Sequence, residues 1–541
     1  MKSLNKILKY TLLVLPLATM NSCTKLDENV YSEYITDNYF NNKTEVLTAL
    51  LRPYTHANAW LTPGQNGWWR LSELSADQLA WPIKGQHGQD GGQWIRDHYH
   101  SWTNDGEEIW GPWRLMWWGL GLCTDPIENL EKRSIASMGI TQEEKDAYIV
   151  ELKMLRALHF IRLLDLYGNI PTPIKVGDAS PATKKSPEVF AFIEKEIKDN
   201  IDKIPNLSPA MLGRASKAAA YAMLVELYLN AQKWAGAPRW DDCITACNAL
   251  INNTAGGQNG AMALDPNITD TYKPTNHLSK EIIMSIAYDF KKGNGWKPQW
   301  TGDFYHFSQK DIYDGTHNGN DGVVMVPGVY ATFKDNDLRK KEWILAGPQF
   351  FLTDPTKPVL GGYEYLNQPL KFVDSIQQVS KGRTVSDMTQ GEENSGLRFN
   401  KYKPGRQADA DYMSTDWAIY RLTWIYFAKA EALIRKNNGV ATQEAVDLIN
   451  ECKKRAFSTA DWTTEAYTTT TLTLDELLAE RGREFLWEGW RRQDLIRFGK
   501  FVSGTWWDHT PTNDKNKELF PIPNRQRILN ANLQQNDGYA Q

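Results

Sequence analysis

Trp60, Trp68, Trp69, Trp81, Trp94 and Trp102 stand among glycine, proline, glutamine, asparagine and aspartate. No helical or strand period fits their spacing, which predicts irregular backbone. Large apolar rings in a polar, glycine-rich stretch either pack down or meet a ligand. An indole or phenol ring can stack on the apolar C–H face of a sugar, while carboxylates, amides and guanidinium groups take its hydroxyls. Two segments carry that mixture. Leu61 to Asn104 holds Trp68, Trp69, Asp77, Trp81 and Trp94, and Lys291 to Asn320 holds Asn294, Trp296, Trp300, Asp303 and Tyr305. At least one of Trp68, Trp81 and Trp296 is expected to be a stacking platform. For each ring taken singly, packing into the core is the competing reading.

Other chemistry is thinner. Asp77, Asp90, Asp303 and Asp314 could pair as the acid and base of a glycosidase, but spacing along the chain does not fix their separation. The sequence has no H-E-x-x-H, no G-x-S-x-G and no P-loop to supply other hydrolytic or phosphate chemistry. Asp314, Thr316, Asn318 and Gly319 match the opening of a calcium loop, yet Met325 stands where a bidentate glutamate belongs. Structural calcium stays open, with a solvated turn as the alternative, and no other metal or cofactor is expected. Cys243 and Cys247, four apart on a predicted helix, lack a complementary Cys or His pair and read as structural.

The elements that position these residues are mostly helical. Thr44 to Ala57 is a first helix. Thr141 and Glu144 form a capping box opening a helix to Tyr167 that stops at Gly168. Ser186-Pro187-Glu188 starts another. Ser216 opens Lys217 to Trp234, and Pro238 opens a partner through Asn252. Asp416 to Lys436 with Thr442 to Arg455 forms a second pair. Thr473 and Glu476 lead into Leu474 to Trp487. The pairs have the span of tetratricopeptide repeats. They are separated by long irregular stretches, Thr254 to Lys280 and Lys291 to Asp411, of the kind that carry function. Ile282 to Ala287 reads as a short strand, Trp110, Trp113 and Trp117 as one buried helix face, and Leu519 to Gln541 as an extended tail.

The 541 residues allow a sizeable core, and a net charge of −4 points away from nucleic acid. Five cysteines do not make a disulfide framework in so long a chain. At the N-terminus, Lys2, Lys6 and Lys9 precede an apolar run, Thr11 to Ala18, too short to span a bilayer, and Asn21-Ser22 leads into Cys23. This resembles a bacterial lipoprotein signal, residues 1–22, with Cys23 as the acylated N-terminus; the alternative is an ordinary secretory signal. Attachment would then be by lipid alone, since no later segment offers an uninterrupted transmembrane stretch.

A series of motifs runs through the rest in order. It comprises Tyr39-Phe40-Asn41-Asn42; Glu151 to Phe160 and Leu166-Tyr167-Gly168-Asn169-Ile170-Pro171; Gly213-Arg214-Ala215-Ser216; Tyr420-Arg421 and Ala428 to Ala432; Glu480-Arg481-Gly482-Arg483-Glu484-Phe485 with Glu488-Gly489; and Leu519-Phe520-Pro521-Ile522-Pro523. Over nearly the whole mature chain it resembles the SusD/RagB family of outer-membrane nutrient-binding lipoproteins. The resemblance implies a mostly α fold, with a tetratricopeptide-like helical-pair scaffold and a large loop-rich, ligand-binding half. It divides the chain into an N-terminal region, 23–235, and a C-terminal region, 236–541, within one body. It implies a glycan-binding lid, not an enzyme, facing outward from the outer membrane, that passes oligo- or polysaccharide to a SusC-like TonB-dependent transporter. The alternative cargo is peptide. The motifs themselves read as scaffold: Arg483 and Glu484 with Glu480 and Glu488 as ion pairs, Arg156 and Tyr167-Gly168-Asn169 as a helix end, Arg214 and Ser216 as capping and docking residues. The site therefore belongs in the loops.

Overall fold

The computed structural model describes residues 39–177, 180–292 and 299–540, without the side chains of 299, 300 and 410. The leader, Cys23, Asn294 and Trp296 lie outside the described residues. Among those described, no helix is long and apolar enough to cross a membrane.

The molecule is mostly helical, as the capping signals and apolar periods predict. The Gln142–Tyr167 helix opens on the Thr141–Glu144 capping box and ends at Gly168, which has φ +64°. A Cβ at Gly168 would lie 2.7 Å from the Leu519 side chain, so both conformation and space call for glycine there. The helix packs between Glu107–Lys132 and Ser186–Lys198, and Lys43–Leu61 lies on Glu107–Lys132. Lys217–Leu229 pairs with Trp240–Ile251, which in turn packs on Leu422–Lys436, and that helix pairs with Gln443–Lys453. One hydrophobic cluster runs through all these pairs and takes in Cys243, Cys247 and Cys452.

Lys217–Leu229 is buried almost all round, the mark of a central helix. Its one carboxylate, Glu226, is fully buried and bonds the Arg162 guanidinium, the Tyr420 hydroxyl and the Gln493 amide (2.9 Å). A buried charge with that many partners is tolerated where an isolated one would not be.

Several element boundaries depart from the sequence reading, the first helix among them, which runs on from the predicted Ala57 to Leu61. The predicted helix from Asp416 begins as a strand, Trp417–Arg421, paired antiparallel with Ile282–Ile286, and turns helical at Leu422. Tertiary pairing outweighs helical periodicity in that aromatic and β-branched run. The helix from Lys217 stops at Leu229, with Asn230 as its C-cap, and a separate turn covers Ala231–Trp234. The helix from Leu474 ends at Glu484, before Trp487 takes φ +74°. The C-terminal tail crosses the body as expected, with a short helix at Asn524–Leu529. Phe520 N–H donates to Leu166 O (2.9 Å) and the Asn536 amide to Tyr167 O (2.8 Å).

The motif charges form ion pairs, but across the fold more than along one helix. Arg214 is bidentate on Glu151 (2.9 and 2.5 Å), and Arg156 binds Glu196 (2.8 Å). Arg339 reaches Glu480 (2.7 Å) and Glu484 (3.0 Å), while Arg421 and Lys401 hold Glu488. Of the tryptophan face, Trp113 is buried and Trp110 and Trp117 are partly so; their neighbour Trp118 is half exposed, its ring against His56.

Candidate ligand-binding groove

The predicted site residues do not stay together. Trp68 and Trp69 lie on a short buried helix, Trp68–Leu74, not in a loop. Trp68 Nε1 donates to Asp165 Oδ2 (2.8 Å), and the Arg162 guanidinium sits 4.2 Å over its ring. Trp69 Nε1 donates to Trp487 O (3.0 Å), and its ring meets Phe304 and Trp417 edge to face. Both are core, which corrects their assignment as ligand-facing rings; their period was hidden because the helix spans only two turns. Asp77 is held bidentate by Arg491 (2.6 and 2.8 Å). Trp60 and Trp102 are also buried. Trp300 belongs to the Gln299–Phe304 helix.

Trp81, Trp94 and Tyr305 do line open space. Two adjoining cavities, about 590 and 410 Å³, share Arg70, Asp303 and Asn320 as common walls and form one groove. Arg70 is supplied by the Trp68–Leu74 helix and Asp303 by Gln299–Phe304; their side chains form an ion pair across the groove floor. Burial pushes the Asp303 carboxyl up to about 6, with Arg70 pulling the other way. Arg70 Nε also donates to Pro63 O (2.8 Å) and Nη2 to Gly64 O (3.1 Å), so the guanidinium is anchored at several points.

The larger cavity is aromatic. Trp81 and Trp94 stack as its inner wall, and the Trp94 indole donates to Asp90 Oδ2 (2.8 Å). At the rim, the rings of His87, Phe307 and Tyr363 meet in a triangle with centroid separations of 4.5, 4.6 and 4.8 Å. Tyr363 is 45% exposed, the most open aromatic ring of the groove among the described residues. Its backbone is fixed from behind: the Glu393 carboxylate accepts from Gly362 N–H (3.2 Å) and Tyr363 N–H (2.5 Å). Gly361 allows this approach, since a Cβ there would fall 2.1 Å from Glu393 Oε1.

The smaller cavity is lined by Thr301, Tyr305, His317, Asn318 and Asp411. Asp411 shapes its loop by accepting the backbone N–H groups of Thr316 (2.9 Å) and His317 (2.9 Å). The side chains of the segment weighed as a calcium loop or a solvated turn are engaged within the protein. The Asp314 carboxylate binds Arg406 (2.6 Å), Asn318 Oδ1 accepts from Lys310 N–H (3.0 Å), and Met325 lies in a strand opposite Leu79. Among the described residues, no group of three His, Cys, Asp or Glu gathers as a metal site would require.

Chemically the groove offers open ring faces, amides from Gln93, Asn318 and Asn320, and carboxylates whose partners are already chosen. Asp77, Asp303 and Asp314, three of the four acids considered for hydrolysis, each pair with an arginine. Arg70, His87, Phe307, Asn320 and Tyr363 were not anticipated. The signal for Tyr363 was present in Gly361-Gly362-Tyr363-Glu364-Tyr365, an aromatic, glycine-rich run inside the long irregular stretch.

Residues 241–539 match the model of the SusD family. The chain is 26% identical over 438 residues to the starch-binding protein SusD of Bacteroides thetaiotaomicron, covering 74% of each. It is 24% identical over 415 residues to SusD-like protein P38 of Formosa agariphila, covering 72% of this chain and 74% of that one. Among solved structures, it is similar to the surface glycan-binding protein A of Bacteroides thetaiotaomicron in complex with laminarihexaose, with a TM-score of 0.67, 18% identity, and 92% and 99% of the two chains covered. NanU of B. fragilis aligns with a TM-score of 0.70 and 18% identity over 94% of this chain and all of that one.

Proposed function

The chain belongs to the SusD family, and from that premise we propose that it captures oligo- or polysaccharide at the cell surface and delivers it to a SusC-like TonB-dependent transporter. The observation that carries the reading is the open ring cluster of His87, Phe307 and Tyr363 beside a groove lined with amides and carboxylates. That is the pairing of apolar face and hydrogen-bonding edge that a sugar ring presents. The relative named as starch-binding and the neighbour solved with laminarihexaose support glycan as the cargo class. The protein binds its sugar without turning it over, because the groove's acids hold structural partners rather than a free acid–base pair. Acylation of Cys23 anchors it in the outer membrane, in keeping with the lack of a membrane-crossing helix among the described residues.

Calorimetric titration of the chain from residue 24 onward, against neutral and acidic polysaccharides and a peptide pool, tests this. Saturable binding to a glycan, weakened by Tyr363→Ala, is the expected result, with the bound oligosaccharide recovered intact. Binding to peptides and to no glycan would overturn it.

A further inference from the structure

Resting on glycan capture in this groove, we infer that the site selects uncharged sugar chains over chains carrying carboxylate or sulfate groups. Three carboxylates line the two cavities, Asp90, Asp303 and Asp411, against a single guanidinium, Arg70, among the described residues. Arg70 is poorly placed to receive an anion. It is only 8% exposed, its Nε and Nη2 are bound to Pro63 O, Gly64 O and Asp303, and it lies beside the rings of Trp81 (5.1 Å) and Trp94 (5.4 Å).

Lys84 and Arg406 are likewise held elsewhere. Lys84 donates to Gly322 O (2.7 Å) and lies 3.6 Å from Asp321, and Arg406 pairs with Asp314. His317 Nδ1 is 3.3 Å from Asp411 Oδ2, and His87 packs tilted and edge-on against the rim rings. An anionic sugar entering the groove would thus meet like charges with, among the described residues, no free arginine fork to compensate, the arrangement by which interfaces reject wrong partners. The Asp303 side chain is only 13% exposed, which sharpens the effect, since a further negative charge beside a largely desolvated carboxylate is less screened than at an open surface.

The test compares one polysaccharide with its own charged derivative. Laminarin, amylopectin and xylan, each native and carboxymethylated, are titrated into the protein at 20 mM and 500 mM NaCl, alongside pectin and chondroitin sulfate. For whichever native chain binds, the carboxymethylated form is expected to bind about tenfold more weakly at low salt. The gap should narrow at high salt and in Asp90→Asn, which keeps an oxygen acceptor for the Trp94 indole while removing a charge. Equal or tighter binding of the derivative, or binding led by pectin or chondroitin sulfate, refutes charge selection and leaves glycan capture standing. Silence on every carbohydrate refutes capture, and this inference with it.

Discussion

The indole rings of Trp81 and Trp94 stack face to face, centroids 4.8 Å apart and 10° from parallel. Each ring covers one face of the other, and Arg70 lies against both. They are 7% and 2% exposed, so they form a prepared wall rather than an open platform. The ring with a face still available is Tyr363, held in place by Glu393.

Tyr363→Ala should therefore lower affinity for the captured glycan about tenfold or more, the loss of roughly 1.4 kcal/mol of stacking and area. Because the side chain is half exposed, stability should change by no more than about 0.5 kcal/mol. Calorimetry and urea unfolding on the same preparation separate the two. Tyr363→Phe, which keeps the ring, should retain most of the affinity.

Trp68→Ala should do the opposite. Removing the ring leaves a cavity, and it strands Asp165 Oδ2 and the face of Arg162. A loss of about 3–5 kcal/mol of stability is expected. Affinity measured on the folded fraction should match that of the parent protein. A large affinity loss without destabilisation would return Trp68 to the binding site.

The buried network around Arg421 should be equally unforgiving. Its guanidinium binds Glu281 (2.9 Å) and, through two bonds, Glu488 (2.9 Å each), joining the strand that precedes the Leu422–Lys436 helix to the C-terminal motif. Burial opposes ionisation of Glu281, but Arg455 and Arg421 hold its carboxyl down to about 2. Among the described residues, Arg421→Ala leaves buried Glu488 with Lys401 as its one cation and buried Glu281 with Arg455 as its one cation, and should cost about 3–5 kcal/mol in denaturant unfolding.

Glu73 makes stability depend on pH with a defined sign. Burial pushes its carboxyl up to about 8. An acid raised in the folded state holds a proton that the unfolded chain releases near its ordinary value. Its contribution is therefore present at low pH and lost as pH rises towards 8, at no more than about 1.4 kcal/mol per pH unit. The depressed histidines His56 and His509, both near 4 through burial, act in the opposite sense and below pH 6.5. The difference between parent and Glu73→Gln isolates the one group. The variant should lose less melting temperature between pH 6.5 and 8.5 than the parent does, and parallel curves would contradict the assignment.

Local signals carried most of the scaffold. Thr141 with Glu144 and Ser216 mark helix starts through bonds made within a few residues, and both helices begin where the sequence puts them. The charged motif residues were legible as ion pairs because buried or not, such charges seek partners. Their partners were not legible: Arg339 lies 141 residues from Glu480, and Arg421 lies 67 from Glu488.

The groove shows the same limit more sharply. Composition identified an aromatic, polar surface and pointed to Trp81, Trp94 and Tyr305, which do line it. It could not tell them from Trp68 and Trp69, since an indole's environment is set by groups far away in sequence: Asp165, 97 residues from Trp68, and Trp487, 418 from Trp69. The sequence by itself determined the helical scaffold, the supply of rings and the family resemblance, because capping, periodicity and composition act over short range. Only the tertiary structure decided which rings face solvent and brought Arg70, Trp81, Asp303 and Tyr363 to one groove. Burial and cavity shape arise when segments hundreds of residues apart close on one another, and no local pattern encodes that closure.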